Sequence, residues 1–593
     1  MKVFSATSLR IARSLVVLGA ILAGAYALVL AGKLQLGLGL AFPGAGFWPS
    51  VWDDGGDLCF GLPGWITFLV GAILSHILFA LAVIWWFGAG NVMAPPVVWL
   101  ASALVAHVFA PGVSRIPPNW LIATPFALWA LLVTPLLLPR IGRRPKPIPA
   151  RPGPMGEALD PELARQAQFA LTRALQPLDA FNGFQFVDQF QTAAPRYQLA
   201  QAGYALALMN ARLPAFRGYL GQAQRNLIRK QTDHRIWSYW QLENLWGNFD
   251  RNPDPVARDN IMYVGFLAAQ IALYSRATGD MRFHTEDALS LRMPDGRVYP
   301  NDQVMLTAAL HRGWDASPFT LMACEPNWIY PLCNAIGACA ARADTPDEWT
   351  ARSESFRRAL SREFRGMSGH IVPFRSSLLG FAAPPIGGAV VDAYPVTFWN
   401  PIYPDLAAEL WALARRGAIR DGAVNLRRFW KVDTGDYRLS RAASLAGFAC
   451  AAAEMGDAEA RDLALSALEV ECPAEGPQWH RPEASVFAHM TELMARLNPG
   501  GGLATMFAAD PPEDGPVLDL RDTRVSVLAA RGEAGALHIT LKGDGPADVP
   551  VTGFRPGARL ICGNASANAD LEGTARFALT LSGTRSFTIA EVP

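Results

Sequence analysis

The sequence predicts a mainly α chain in three parts: four membrane-spanning helices, a ring of helical hairpins, and a small all-β domain. Three observations carry that prediction. Four apolar segments crowd the first 140 residues; about twelve amphipathic helical patterns follow a proline-rich spacer; and beyond Pro499 the apolar period changes from helical to alternating.

The composition fits. The 593 residues are 51% hydrophobic and 17% charged, with a net charge of +1, and the apolar excess lies almost wholly in the first quarter. A balance so near neutral, with no concentrated basic face, argues against a nucleic-acid partner. Seven cysteines in so long a chain are too sparse for a disulfide framework.

The apolar segments run from Ile11 to Ala31, Trp65 to Phe87, Val92 to Ala110 and Trp120 to Leu138. Each is near the about 20 residues that span a bilayer core. Lys2, Arg10 and Arg13 open the first segment as they would a signal peptide, but three further spans make the region a multi-pass anchor, 1–144. Arg140, Arg143, Arg144, Lys146 and Arg151 follow the last span, so both ends are expected on the cytoplasmic side of a bacterial inner membrane, with Asp53, Asp54 and Asp57 outside. Trp48, Trp52, Trp65, Trp85, Trp86 and Trp120 fall near the expected interfaces. His76 and His107, inside the second and third spans, suit hydrogen bonding between helices better than a proton relay.

Residues 145–154, P-K-P-I-P-A-R-P-G-P, cannot form a helix and mark a domain boundary. From 155 to 500 the helical patterns run Leu159–Leu175, Tyr197–Leu213, Ala215–Ile228, Ile236–Trp246, Asn260–Thr278, Trp328–Ala341, Trp349–Phe364, Asp405–Ala414, Val424–Val432, Ala442–Met455, Ala458–Leu468 and Ala484–Leu497. That number suits six helical hairpins closed into an (α/α)6 barrel, although counting alone does not separate it from an α-solenoid. Within 501–593, Arg524–Ala530, Ala536–Lys542, Arg559–Cys562, Ala575–Leu581 and Arg585–Ala590 read as strands of a β-sandwich-like domain.

The chemistry centres on Cys324–Cys333, C-E-P-N-W-I-Y-P-L-C. One helix through this stretch would set the thiols about two and a half turns apart, on nearly opposite sides, and Pro326 and Pro331 interrupt it. Cys324 is therefore expected on a loop or helix entry. Taken alone, two buried core thiols explain the pair as well as a reactive site does.

Its neighbours in the chain add to it: W-G-N-F-D-R-N-P-D-P-V-A-R-D-N-I-M-Y from Trp246 to Tyr263, Asp392-Ala393-Tyr394, and Glu454-Met455-Gly456-Asp457. With these motifs the chain resembles the linalool dehydratase/isomerase family over roughly residues 160 to 500. The resemblance implies an (α/α)6 barrel, a homo-oligomer with sites near subunit contacts, and cofactor-free, metal-free dehydration or allylic isomerisation of a hydrophobic alkenol. It implies Cys324, Cys333 and Asp179 as the acid/base groups, with Asp179 exchanging a proton with the hydroxyl. Tyr394, Glu325, Trp246, Tyr263 and the residue at 266 would meet the substrate. Two positions depart from the family: Phe266 stands where a histidine is expected, and Gln185 where a tyrosine is.

Each residue also has a plainer reading. Asp179 suits a helix cap, Tyr394 a core aromatic, and Trp237, Trp240, Trp246 and Phe249 ordinary core. Asp250, Asp254 and Asp259 suit turns better than a metal. Two other classes stay open: a carbohydrate-active barrel enzyme using Glu325, Asp250 or Asp392, and a non-catalytic, membrane-tethered scaffold.

Overall fold

The computed structural model describes residues 5–51, 61–110, 119–137, 145–188, 191–366, 368–382, 392–426, 440–512 and 515–592. Asp53, Asp54, Asp57, Arg140, Arg143 and Arg144 lie outside these. The chain is mainly helical with a small C-terminal sheet.

Two helices among the described residues are long and apolar enough to cross a bilayer: α1 (Ala6–Leu30) and α3 (Leu62–Ala89). Between them α2 (Leu34–Ala41) packs on α1 and on α4 (Ala94–Phe109), where the sequence suggested only a loop. The L-G-L-G-L pattern explains it: a side chain on Gly37 would meet the Ala25 carbonyl at 2.6 Å, and one on Gly39 would meet Ala103 at 2.8 Å. Small residues are what let apolar helices approach so closely. Indole N–H groups of Trp99 and of Trp129, on α5 (Asn119–Leu137), reach the carbonyls of Gly39 and Ala41 at 2.9 and 2.8 Å. His76 bonds the carbonyl one turn back in its own helix, that of Ala72.

Beyond the spacer come α6 (Pro161–Ala174), α7 (Pro195–Arg212), α8 (Gly218–Lys230), α9 (His234–Trp237), α10 (Tyr239–Asn248), α11 (Ile261–Thr278), α12 (Gln303–Ala316), α13 (Pro331–Asp344) and α14 (Pro346–Ala359). They are followed by α15 (Val396–Ile402), α16 (Pro404–Ala418), α17 (Ala442–Glu454), α18 (Ala458–Glu471), α19 (Val486–Leu497) and α20 (Gly502–Ala508). Among the described residues, α7, α11, α13, α15, α17 and α19 pack side by side, and α19 returns to α7, closing a ring. α8, α12, α14, α16 and α18 each back the ring helix before them, while α6 packs on α7 and α19.

Burial sorts the two layers. α7 and α11 are buried on nearly every side, α7 taking Arg196, Gln198, Gln201 and Asn210 inside with it, whereas α6, α8 and α16 keep one polar face. α20 plugs one end of the ring, and the Glu454 carboxylate at the close of α17 holds it. That carboxylate accepts from the backbone N–H groups of Leu503 and Ala504 and from the side-chain amides of Asn400 and Asn498. The proline-rich spacer is strapped across the same end, with Ile148, Arg151 and Gly153 donating to the carbonyls of Ala408, Met455 and Gly500.

Several expectations change, among them Trp328, which lies in a short strand ahead of α13, and Ile236–Trp246, which splits between α9 and α10. α20 extends the helical part past 500, and α12 and α15 appear where no pattern was read. Ala423–Val424 is a strand paired with Ile419–Arg420 rather than a helix start, and residues from 427 lie outside the description. The C-terminal part is one six-stranded antiparallel sheet, not two facing sheets. Its long strands, Ala536–Thr552 and Ala575–Glu591, pair along their whole length, as the alternating burial of each allows. The sheet joins the barrel core through backbone bonds from Ala215, Arg217 and Tyr219 to Ala530, Leu518 and Leu520.

Gly456 sits at φ +67 with its α-hydrogen facing the Arg151 carbonyl, where a Cβ would lie 2.1 Å away. Gly456→Ala should cost about 1–3 kcal/mol and lift the spacer from the barrel. Faster limited proteolysis within 145–154, together with a lower thermal midpoint, is the expected result.

Candidate active site

Cys324 and Cys333 come from different elements and meet because the chain turns back between them. Cys324 lies in a turn in which its N–H donates to the Trp328 carbonyl at 2.8 Å and Asn327 takes a left-handed φ of 72. Pro331 then occupies the first turn of α13, where its missing N–H costs nothing, and places Cys333 at the ring's inner wall. Asn334 locks the fold-back. Its carbonyl oxygen accepts from Met322 N–H and the Trp314 indole, each at 3.0 Å, and its amide donates to the Met322 carbonyl. The two sulfurs end 3.5 Å apart, with Cys324 donating, and neither cysteine is more than 2% exposed.

Beside the thiols sits a buried guanidinium. Arg196, in the first turn of α7, lies 3.6 Å from the Glu325 carboxylate, stacks its guanidinium 4.2 Å from the Tyr239 ring centroid, and donates to the Met262 sulfur at 3.1 Å. Glu243 faces the same guanidinium from α10, because it lies four residues after Tyr239 and shares its helix face. Both Glu325 oxygens and Oε2 of Glu243 are buried without a hydrogen-bond partner among the described residues. Such atoms are rare in folded proteins and mark places where a ligand or water completes the site.

The electrostatics follow from burial. Desolvation lifts the Glu243 carboxyl to about 8, and the neighbouring Glu325 adds to the rise while Arg196 opposes it. Glu325 is raised for the same reason, again against Arg196. Burial, then the bond to Cys333, pushes the Cys324 thiol well above its ordinary value, so it remains a thiol at neutral pH.

The other expected residues divide. Phe266 and Tyr263 lie buried on α11; the Phe266 carbonyl accepts from Tyr204 at 2.9 Å, and the Tyr263 hydroxyl donates to the Gln231 carbonyl at 3.0 Å. Tyr394 donates to the Gln201 side chain at 2.8 Å. Tyr204, which the sequence did not single out, faces both Tyr394 and Cys333. Gln185 accepts from Val486 N–H and braces the start of α19.

Asp179 is placed differently from the expectation: it is exposed on a turn beside Lys230 and Arg235, and not against the cysteines. Asp250 and Asp254 accept from backbone N–H groups two residues on, as turn residues do. No group of three metal-type ligands occurs among the described residues.

Trp246 meets the apolar helices, and its place shows what lies over the thiols. Its indole donates to the Ala89 carbonyl at 2.7 Å, the Trp328 indole to Trp86 at 3.2 Å, and the Tyr330 hydroxyl to Phe87 at 3.4 Å. These are last-turn carbonyls of α3, which have no partner within the helix. The N-terminus of α1 is held likewise: the Glu363 carboxylate accepts from Ala6 and Thr7 N–H at 3.2 and 3.0 Å. The apolar helices therefore dock on the cysteine end of the ring. The wide cleft of about 1380 Å³ lined by Pro149, Arg276, Asn400 and Thr505 is at the opposite, plugged end and contains none of these groups.

Residues 196–483 match the family model described as linalool dehydratase/isomerase, a stretch that runs from Arg196 through both cysteines to α18 and beyond. Over these residues the chain is similar to the linalool dehydratase/isomerase family. Two solved structures are also similar. One is an unsaturated glucuronyl hydrolase specific for heparin, at 12% identity and a TM-score of 0.37, covering 57% of this chain and 96% of that one. The other is a GH127 β-L-arabinofuranosidase from Geobacillus stearothermophilus T6, at 11% identity and a TM-score of 0.24, covering 72% of this chain and 76% of that one.

Arg196, Tyr239 and Glu243 were not singled out in the sequence. A signal was available: Glu243 is the sole acidic residue of W-S-Y-W-Q-L-E-N-L-W-G-N. Its carboxyl keeps its proton to about pH 8 in the folded chain, against 4.5 for an ordinary glutamate. The native state thus binds more protons across that window, and stability falls as pH rises through it. Glu243→Gln cannot ionise, so the thermal midpoint of the variant relative to the parent should climb as pH increases from the lower to the upper end of that window.

Proposed function

We propose that this protein is a membrane-anchored hydro-lyase/isomerase that acts, without a cofactor, on an alkenol or terpenoid alcohol. The observation that carries the reading is the pair of buried thiols, 3.5 Å apart, beside the buried Glu325 carboxyl that is ion-paired with Arg196. The family match supports the reaction class.

In the dehydration, a proton reaches the leaving hydroxyl, the carbon–oxygen bond breaks to release water, and a proton leaves the neighbouring carbon. Alkenol becomes diene plus water, with no change in redox state. Glu325, placed by the Arg196 guanidinium, exchanges the proton with the hydroxyl, and Arg196 steadies the carboxylate left behind. Cys333, which accepts from the Cys324 thiol, is the base toward carbon. Isomerisation returns water to the far end of the allyl system by the reverse steps. Phe266, Tyr263, Tyr204 and Tyr394 surround the apolar remainder of the substrate. Asp179, exposed at the rim, is available to a neighbouring subunit of a homo-oligomer.

The apolar helices supply the anchor. α1 and α3 cross the membrane, α4 and α5 complete four spans, and Arg10, Arg13, Lys146 and Arg151 keep the barrel cytoplasmic. A substrate dissolved in lipid then arrives at the end of the ring that carries the thiols.

Gas chromatography of products from detergent-solubilised protein, kept anaerobic and reduced, tests the chemistry. Linalool, geraniol or a smaller tertiary alkenol should give a diene or a transposed alcohol, and Cys324→Ala should abolish it; full turnover by that variant would overturn the cysteine mechanism. A compartment-sensitive reporter fused after Pro593 should give the cytoplasmic signal, and a periplasmic one would reverse the topology.

A further inference from the structure

The Arg196 guanidinium carries one positive charge, yet two buried carboxyl groups, Glu325 and Glu243, face it from separate elements. Were both ionised, the cluster would hold a net negative charge in a buried setting. Like charges confined at low dielectric do not both persist, so one proton remains on the pair. The orientation is set by packing: Tyr239 lies against the guanidinium, and Glu243 follows on the same face of α10. Glu243 is 2% exposed and Glu325 1% exposed, and three of their oxygens have no hydrogen-bond partner among the described residues.

We propose that Glu243 and Glu325 form a shared-proton carboxyl pair across Arg196 that binds the hydroxyl of an alcohol substrate and is the proton reservoir for its departure. The proposal rests on the alkenol reading of the same site, and extends it to Glu243. A hydroxyl both donates and accepts one bond, so it fits between a carboxylate and a carboxylic acid, satisfying two orphaned oxygens at once. The proton that leaves the pair goes to the departing oxygen, and the proton taken from carbon by the thiol pair restores it, so the protons balance over a turnover. The groups facing Glu243 are Arg196, Glu325, Tyr330 and, on its own helix, Tyr239. Of these only Arg196 is positively charged, and the upward shift of Glu243 to about 8 agrees with a retained proton.

The test is infrared difference spectroscopy of the full-length protein in detergent, titrated between about pH 6 and 10, with Glu243→Gln as the subtraction partner. A carboxylic-acid carbonyl band should be present at neutral pH in the parent, lost near pH 8 and missing in the variant. Adding 3,7-dimethyloctan-3-ol, a saturated tertiary alcohol with no allylic system, should shift that band. Absence of a Glu243-dependent band at neutral pH overturns the shared proton, and a band indifferent to the alcohol overturns the binding role. Neither readout needs turnover, so a failure of the dehydratase chemistry would be seen separately, as absent products with the band intact. Activity supplies a further arm: Asp at 243 keeps an ionisable carboxyl, so Glu243→Asp should retain measurable turnover with an altered alkaline limb, whereas Glu243→Gln should lower kcat at least tenfold. Equal kcat in parent and Glu243→Gln overturns the reservoir role.

Discussion

A guanidinium buried to 2% exposure has to be neutralised where it stands, and most of the candidate site is arranged by that requirement. Arg196 opens α7, so its position is fixed by a ring helix packed on every side. Around it gather groups from three other elements: Glu325 from the cysteine loop, Tyr239 and Glu243 from α10, and Met262 from α11. Breaking such a pair from one side typically costs about 3–5 kcal/mol, because the surviving charge is left without compensation. The polar end of the site is therefore rigid for electrostatic reasons. Its thiols are rigid for a different one, since Asn334 clamps the turn between them with four directed bonds.

The same loop serves a second master. Trp328 and Tyr330, between the two cysteines, donate to the terminal carbonyls of α3, and the Trp86 ring packs tilted against that of Trp328, centroids 4.8 Å apart. A helix C-terminus in an apolar setting cannot leave its carbonyls bare, so these aromatics cap α3 while they hold the loop. Glu363 does the converse at the N-terminus of α1, where a carboxylate meets free N–H groups and the positive end of the helix dipole. Polarity is matched at both contacts. The apolar helices and the buried thiols are thus parts of one mechanical unit.

The ring was legible because helical periodicity survives wherever a helix has an outer face, and the cysteine motif because two prolines within ten residues forbid a helix through it. α15 was not, since Pro401 sits inside it and masks the pattern. α12 was missed although Asp302 caps it, because its mixture of His, Arg, Trp and Asp blurs the apolar stripe. The tail helix α20 follows three glycines that read as a domain boundary. Those glycines answer to the spacer instead: a Cβ on Gly500 would sit 2.5 Å from the Arg151 carbonyl. Trp246 could not be placed from sequence, because its partner, the Ala89 carbonyl, is 157 residues away and offers no side-chain signal.

Asp179 and Phe266 show that a motif names a residue without giving its surroundings. Phe266 replaces a ring that would be polar, on a helix buried on every side, and its only polar contribution is a backbone carbonyl already taken by Tyr204. A site that loses a polar side chain at one wall can keep acid chemistry only if another wall supplies it. On the proposed reading, two carboxyls on one guanidinium do so, a proton donor at neutral pH without histidine. On that proposal the imidazole is dispensable, because burial, not the intrinsic acidity of the group, sets where the proton resides.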